Sequence, residues 1–272
     1  MTATCPPSLQ SELLSTLGIV DCHVIRAPTD RAEISYNVKV YQTMDEARDG
    51  LVREVRKRLE SMDNSTSWGL VYCRSKSQVE EVATLVGCKP FHADLPMEKR
   101  VAFFKEWVNG KQKFMACSSL LGCGVDVKGV DVVFHLGTPW SILDFVQESG
   151  RAGRGGNPSV SMVFASRDER EPDDGGDMYG KRTIREWVLQ RSLCRRIALS
   201  SFLDGGRTTC MLLQGAVFCD VCRAELENEH PRKLFKVTAL EIPRGDIPKF
   251  RKLPYVPPTS VAYEMDRSMH HR

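Results

Sequence analysis

Hydrophobic positions recur first at a helical spacing and then at a strand spacing. Leu9, Leu13, Leu14 and Leu17 fall three and four residues apart, which predicts a helix. Asp21–Ile25 and Ile34–Val40 read as short strands, the second with alternating character. Thr43 stands three residues before Glu46, a capping-box spacing. It predicts a helix through about Met62 with Ala47, Leu51, Val55, Leu59 and Met62 on one face. From Trp68 the pattern changes. Trp68–Cys73, Phe91–Ala93, Phe114–Cys117, Val130–Phe134 and Ser161–Ala165 are short apolar runs that predict strands. Between them lie helical stretches. Ser77–Val86 is closed by Gly87. A second helix opens at Pro96, turns Val101, Phe104 and Val108 inward and ends at Asn109-Gly110. A third, capped by Ser141, runs to about Glu148. Strand–helix alternation with short connections predicts an α/β fold, a parallel sheet covered on both faces.

Arg167–Gly180 is charged and glycine-rich, a surface loop or hinge, and helical character returns from Lys181 to about Phe202. After Cys222 the periodicity is lost, and Pro231, Pro243, Pro248, Pro254, Pro257 and Pro258 interrupt the chain. The expected organisation is a leading segment over 1–42 and an α/β lobe over 43–168. A small helical subdomain over 178–225 and an extended or disordered tail over 226–272 follow.

Composition narrows this picture only a little. The 272 residues are 42% hydrophobic and 27% charged, compatible with a real core. A net charge of +3 is too small to name a partner, so any nucleic-acid surface must be local. Met1–Pro7 lacks the basic and apolar regions of a signal peptide, and no apolar run approaches the ~20 residues a membrane span needs. No internal repeat is visible. The ten cysteines are then expected to sit in a reducing compartment, where metal binding or burial is favoured over disulfides.

Four of those cysteines change the picture. Cys194, Cys210, Cys219 and Cys222 crowd one small segment, and only the last pair has the spacing of a metal knuckle. The residues themselves leave two readings open, a tetrahedral thiolate zinc site or four buried thiols.

The most informative string is Gln147-Glu148-Ser149-Gly150-Arg151-Ala152-Gly153-Arg154-Gly155-Gly156. Glycine permits tight turns and close approach to a ligand, and arginine carries a permanent charge on a fork that fits phosphate. A bare G-R-x-G-R is equally a basic surface turn. The full string resembles motif VI of superfamily-2 helicases, in the form found in the RecQ family. That resemblance implies catalytic roles at a triphosphate for Gln147, Arg151 and Arg154, with Arg154 as the arginine finger and Arg151 its companion. Gly150 and Gly153 would lie close to the nucleotide.

Other segments extend the resemblance from Met1 to about Cys222. Leu70–Lys76 looks like motif IV, whose Arg74, Ser75 and Lys76 would contact the backbone of a DNA strand; an ordinary serine-capped turn is the other reading. Phe91-His92-Ala93-Asp94-Leu95 is similar to the family's Y-H-A-G-L, with Asp94 in place of glycine, and adds His92 to the DNA candidates. Cys117–Asp126 resembles motif V. By that likeness Ser118 takes a DNA phosphate, and Gly124 and Asp126 serve the nucleotide, Asp126 at its ribose. Cys194-Arg195-Arg196 resembles the opening of the RecQ zinc subdomain, which implies one structural zinc on Cys194, Cys210, Cys219 and Cys222.

The family's reaction is ATP hydrolysis coupled to 3′-to-5′ movement on single-stranded DNA, with Mg²⁺-bound ATP shared between two lobes. No G-x-x-x-x-G-K-[ST] string and no Asp-Glu-x-His string occur here. Met1–Thr4 resembles motif III, which follows both. The expectation is a second motor lobe with most of the first missing, inactive alone. It would act with DNA and a separate first-lobe polypeptide, or serve as a non-enzymatic nucleic-acid-binding module. The resemblance implies a nuclear location.

Overall fold

The computed structural model describes residues 4–61, 67–119, 127, 129–169, 177 and 179–227. Helix α1 is Pro7–Thr16, followed by strand β1 (Ile34–Tyr41) and α2 (Met44–Ser61). Then come β2 (Trp68–Cys73), α3 (Lys76–Val86), β3 (Lys89–Phe91), α4 (Met97–Val108) and β4 (Phe114–Cys117). The α/β part closes with β5 (Val130–Leu136), α5 (Ile142–Ser149) and β6 (Ser159–Ser166); α6 (Lys181–Leu189), α7 (Arg195–Asp204) and α8 (Asp220–Glu227) follow. The strands form one six-stranded sheet in the order β1-β6-β5-β2-β4-β3, and every neighbouring pair is parallel. No described helix is long and apolar enough to cross a membrane.

The alternation of strand side chains splits the core by face. Val71 and Cys73 of β2, Phe114 and Ala116 of β4, and Met162 and Phe164 of β6 pack with α2 and α3. The intervening residues turn the other way. Leu70, Tyr72, Met115 and Cys117 pack under α4, where Trp107 is fully buried and donates its indole N–H to the Gly69 carbonyl at 3.2 Å. Val163 and Ala165 pack with α5, α6, α7 and the late cysteines. Both faces are covered, as the apolar runs predict.

Local chemistry sets several boundaries. The Thr43 hydroxyl accepts from Glu46 N–H at 3.3 Å, but the Glu46 carboxylate reaches back to Gln42 N–H, one residue beyond the expected box. Ser75 and Ser141 cap α3 and α5 by accepting from Gln78 and Asp144 N–H. The helix expected to run from Lys181 to Phe202 is two helices. The Gln190 side chain accepts from Ser192 and Leu193 N–H, and this turn sets Cys194 just ahead of α7.

Other expectations need correction. Asp21–Ile25 is not a strand, since none of the described residues pairs with it and Val24 and Ile25 lie exposed. Val101 of α4 is exposed rather than inward, because the helix turns Trp107 to the sheet instead. Leu59 is also exposed, and Met62 lies outside the described residues. The strand expected at Phe91–Ala93 ends at Phe91, which leaves His92 beyond it.

The expected division at residue 42 also fails. β1 pairs along its whole length with β6, so residues 34–41 belong to the sheet. Nor do the late helices stand apart from the lobe. Ile34 and Tyr36 of β1, Phe145 of α5, Trp187 of α6, Leu203 of α7 and Cys222 share one apolar cluster. The outer edge of β1 is closed from the same side: Val38 N–H donates to Asp220 at 3.0 Å and Ser35 Oγ donates to Phe218 O at 2.7 Å. Helix continues to Glu227, past Cys222 and into the segment expected to be tail; 228–272 lie outside the described residues.

Candidate functional site

The glycine-arginine string leaves the end of α5 as a chain of turns. Gly153 N–H donates to the carbonyl of Val130, the first residue of β5, at 3.0 Å, so the loop lies along the amino ends of the strands. Gly153 has a φ of +69°, and a Cβ there would come within 2.6 Å of Glu33 Cγ. Only glycine fits without strain. A second arginine holds the loop from outside the string. Arg31 donates through Nη1 to Gly150 O at 3.2 Å and through Nη2 to Ala152 O at 2.9 Å, while its Nε pairs with Glu33. Arg31 is held in turn, since Arg196 donates to its carbonyl at 2.9 Å.

This frame treats the two candidate arginines differently. Arg151 is buried, 7% exposed. Arg154 lies exposed, its Nε donating to Gly150 O at 3.4 Å, and Gln147 is exposed as well. Gly124 and Asp126 lie outside the described residues.

The DNA candidates gather at the opposite, carboxyl ends of the strands, where ligands of open parallel sheets commonly bind. Arg74, Ser75 and Lys76 follow β2, His92 follows β3, and Ser118 follows β4 and donates its N–H to Phe91 O. Their surroundings qualify the expected roles. Arg74 pairs with Glu169 at 3.1 Å and lies 4.0 Å from the ring centre of Trp140. The Glu169 carboxylate is itself buried and accepts from Thr138 and Ser166 N–H. Arg74 is thus largely a structural cation. Ser75 is engaged as the α3 cap. Lys76 is exposed and bonded to Asp94 at 2.7 Å, and that bond holds the Asp94 carboxyl below its ordinary range. Asp94 therefore offsets the charge that would meet a phosphate. His92 is buried, with Nε2 3.3 Å from Glu80.

One residue of the string belongs to the other group. Glu148 lines a pocket of about 350 Å³, open space included, together with Tyr72, Arg74, Ser118, His135 and Trp140. His135 Nε2 stands 3.1 Å from Glu148 Oε2, both buried, without the alignment of a hydrogen bond. Tyr72 stacks on His135 at 5.5 Å, and burial pushes the Tyr72 hydroxyl well above its ordinary range. Burial likewise pushes up the thiols of Cys73 and Cys117, which makes them inert packing groups.

The four late cysteines come together, Cys210 among them. All are buried, and their sulfurs lie within 4.8 Å of one another. Sγ–Sγ distances of 3.6 Å (Cys194–Cys210) and 4.0 Å (Cys194–Cys219) bracket the roughly 3.8 Å edge of a tetrahedral zinc–thiolate site. Backbone N–H groups of Cys210 and Cys219 donate to sulfurs at 3.3 and 3.4 Å, which favours thiolates. Contact with the Cys194 sulfur brings the Cys219 thiol down to about 6. The cluster is a fitting site for one metal ion with all four positions filled by protein.

Arg31, Glu33, His135, Trp140 and Glu169 were not visible as site residues in the sequence. Their partners lie far along the chain: Arg31 is 119 residues from Gly150, and Arg74 is 95 from Glu169. Glu148 alone carried a signal, its place inside the string.

Comparison with known proteins agrees with this geometry. Residues 50–156 match the helicase conserved C-terminal domain. The ATP-dependent DNA helicase Q5 of Rattus norvegicus is 31% identical over 180 residues, covering 63% of this chain and 18% of that protein. The RecQ-like DNA helicase blm-1 of Caenorhabditis elegans is 25% identical over 256 residues, covering 88% of this chain and 25% of that protein. The chain thus spans a quarter or less of either relative's length. A solved structure, the DEAD-box helicase Mss116 bound to ssRNA and UDP-BeF, matches in fold with a TM-score of 0.53 and 17% identity, over 61% of this chain and 36% of that one. Sheet, motif string and relatives converge: residues 50–156 form a helicase C-terminal domain, and over the stretch it shares with them the chain is similar to RecQ-like DNA helicases.

Proposed function

We propose that this chain acts as the second motor lobe of a RecQ-like, ATP-dependent, 3′-to-5′ DNA helicase. In this reading Arg154 is the arginine finger, and Arg151 and Gln147 support it at a triphosphate held with Mg²⁺ mainly by a first lobe. The observation that carries the reading is the clamped loop. Arg31 and the Gly153 turn fix the backbone on both sides of Arg151, so that Arg154 projects from a rigid frame. Phosphoryl transfer is driven by positioned charge, and a finger on a loose loop would lose much of its effect. Gly150, Gly153, Gly124 and Asp126 are assigned to the nucleotide by motif alone. Single-stranded DNA would run along the carboxyl edge, touching Ser118, Lys76 and the Arg74 region, with His92 supporting from beneath. Cys194, Cys210, Cys219 and Cys222 would hold one structural zinc, and the protein would work in the nucleus.

No P-loop string occurs in these 272 residues, which favours a second reading, a nucleic-acid-binding module without turnover. One experiment separates them. The chain is mixed with a polypeptide carrying the P-loop lobe of a RecQ-type helicase, and DNA-stimulated ATP hydrolysis is measured. The motor reading expects hydrolysis above that of either polypeptide alone, lost with Arg154→Ala. No gain in the mixture, with strand binding intact, supports the binding module.

A further inference from the structure

We propose that the open face of Trp140 is a stacking site for one unpaired nucleobase of a bound DNA strand. Trp140 lies in the loop between β5 and α5 and is 48% exposed, whereas Tyr72 of the same pocket is buried. Its ring is not loose. The Arg74 guanidinium covers one face at 4.0 Å, and Arg74 is anchored by the buried Glu169 carboxylate. The indole is thus ordered beforehand, which lowers the cost of ordering it on binding. An aromatic face backed by a cation and open on its other side suits a planar ring.

The pocket behind the ring narrows the ligand class. Tyr72 and His135 line it, both nine-tenths or more buried, and Tyr72 Oη and His135 Nδ1 have no hydrogen-bond partner among the described residues. Buried polar groups are normally paired, so two orphans in one pocket mark a place for a polar edge. The third polar wall is the Glu148 carboxylate, which repels phosphate and accepts from an amino group. A nucleobase offers what these groups ask for, a flat apolar face for Trp140 and a hydrogen-bonding edge for the pocket. The inference rests on the DNA-binding reading above and adds base contact to a surface otherwise assigned to the sugar-phosphate backbone. A strand is the source because Ser118 and Arg74 of the same pocket follow β4 and β2 on the carboxyl edge, beside Ser75 and Lys76.

The test is fluorescence anisotropy at low salt. A labelled oligodeoxycytidylate, whose bases carry the amino group, is compared with an abasic oligonucleotide of equal length and charge, using the full 272-residue protein. The wild type should prefer the base-bearing strand about fivefold or more. Trp140→Ala should bind both strands equally, at the abasic level, and Trp140→Phe should keep part of the preference. Circular dichroism checks that both variants fold. A preference that survives in Trp140→Ala overturns the stacking site while leaving strand binding in place. Binding of neither strand by the wild type removes the DNA reading and this site with it. Millimolar adenosine should not displace the strand; displacement that is lost in Trp140→Ala would reassign the platform to a free nucleotide and overturn the proposal.

Discussion

Replacing Cys219 with serine should unfold the α/β lobe together with its helical neighbour. The Cys219 sulfur lies 4.0 Å from that of Cys194, and its N–H bonds the Cys210 sulfur. Losing this sulfur from the four-cysteine cluster should loosen the α7–α8 segment. That segment is one wall of the cluster holding Ile34, Tyr36, Ile142, Phe145 and Val163. Burial of a side chain of this size stabilises by about 1.5–3 kcal/mol. Uncovering the five would cost roughly 8–15 kcal/mol as an upper bound, against a typical total of about 5–15 kcal/mol for a domain. Partial uncovering is enough to melt the sheet. The assay is urea unfolding followed by far-UV circular dichroism, with limited proteolysis sites mapped by mass spectrometry and metal content measured in parallel. The expected result is a single transition whose midpoint falls by several kcal/mol equivalent, with cleavage inside 34–166 and beyond 180 appearing together. Two transitions, the later at the wild-type midpoint with 34–166 still protected, would refute the shared core. Metal-free wild type of full stability would refute the zinc assignment.

The remaining expectations are narrower. The 272-residue polypeptide alone should show no DNA-stimulated ATPase, as it contains no P-loop lysine; turnover by purified protein that vanishes in Arg154→Ala would contradict this. Strand binding should weaken with salt at a slope near −0.7 per phosphate contacted, and a flat salt response would argue against backbone contacts. Gly153→Ala should destabilise by about 1–3 kcal/mol in thermal melts, because φ is +69° and the new Cβ meets Glu33 at 2.6 Å. Glu169→Ala should cost about 3 kcal/mol, as it leaves Arg74 unpaired and strips the acceptor from Thr138 and Ser166 N–H; a loss under 1 kcal/mol would show the pair to be peripheral.

Much of the sheet was legible because its strands are buried on both faces and read as continuous apolar runs. Trp68–Cys73 and Phe114–Cys117 match their expected limits, and the helix caps at Ser141 and Gly87 lie where the residues put them. β1 was legible as a strand but not as a member of this sheet. Its membership depends on pairing with β6, more than a hundred residues later, and on Asp220 at its outer edge. The break between α6 and α7 is invisible to periodicity, since a glutamine side chain makes the turn without glycine or proline. The sulfur cluster was legible by residue type, while the place of Cys210 in it required geometry: the Met211–Phe218 insertion folds out and returns Cys219 to the same point. At the candidate site, string and motif spacing marked the arginines. They could not show that Arg74 has a buried carboxylate partner, or that Arg31 holds the loop.

The Asp220 carboxylate at β1 has a bearing on solubility. An open β-sheet edge offers a row of N–H and C=O groups to any extended chain that meets it. Here Asp220 occupies the Val38 N–H, Ser35 bonds Phe218, and both contacts arrive on the segment around Cys219 and Cys222. Oxidising or alkylating those thiols would therefore bare a strand edge rich in Ile, Tyr and Val, the composition from which intermolecular β-pairing grows. The cysteines then act as guardians against self-association, and thiol damage should be seen first as turbidity and thioflavin-positive aggregate on storage.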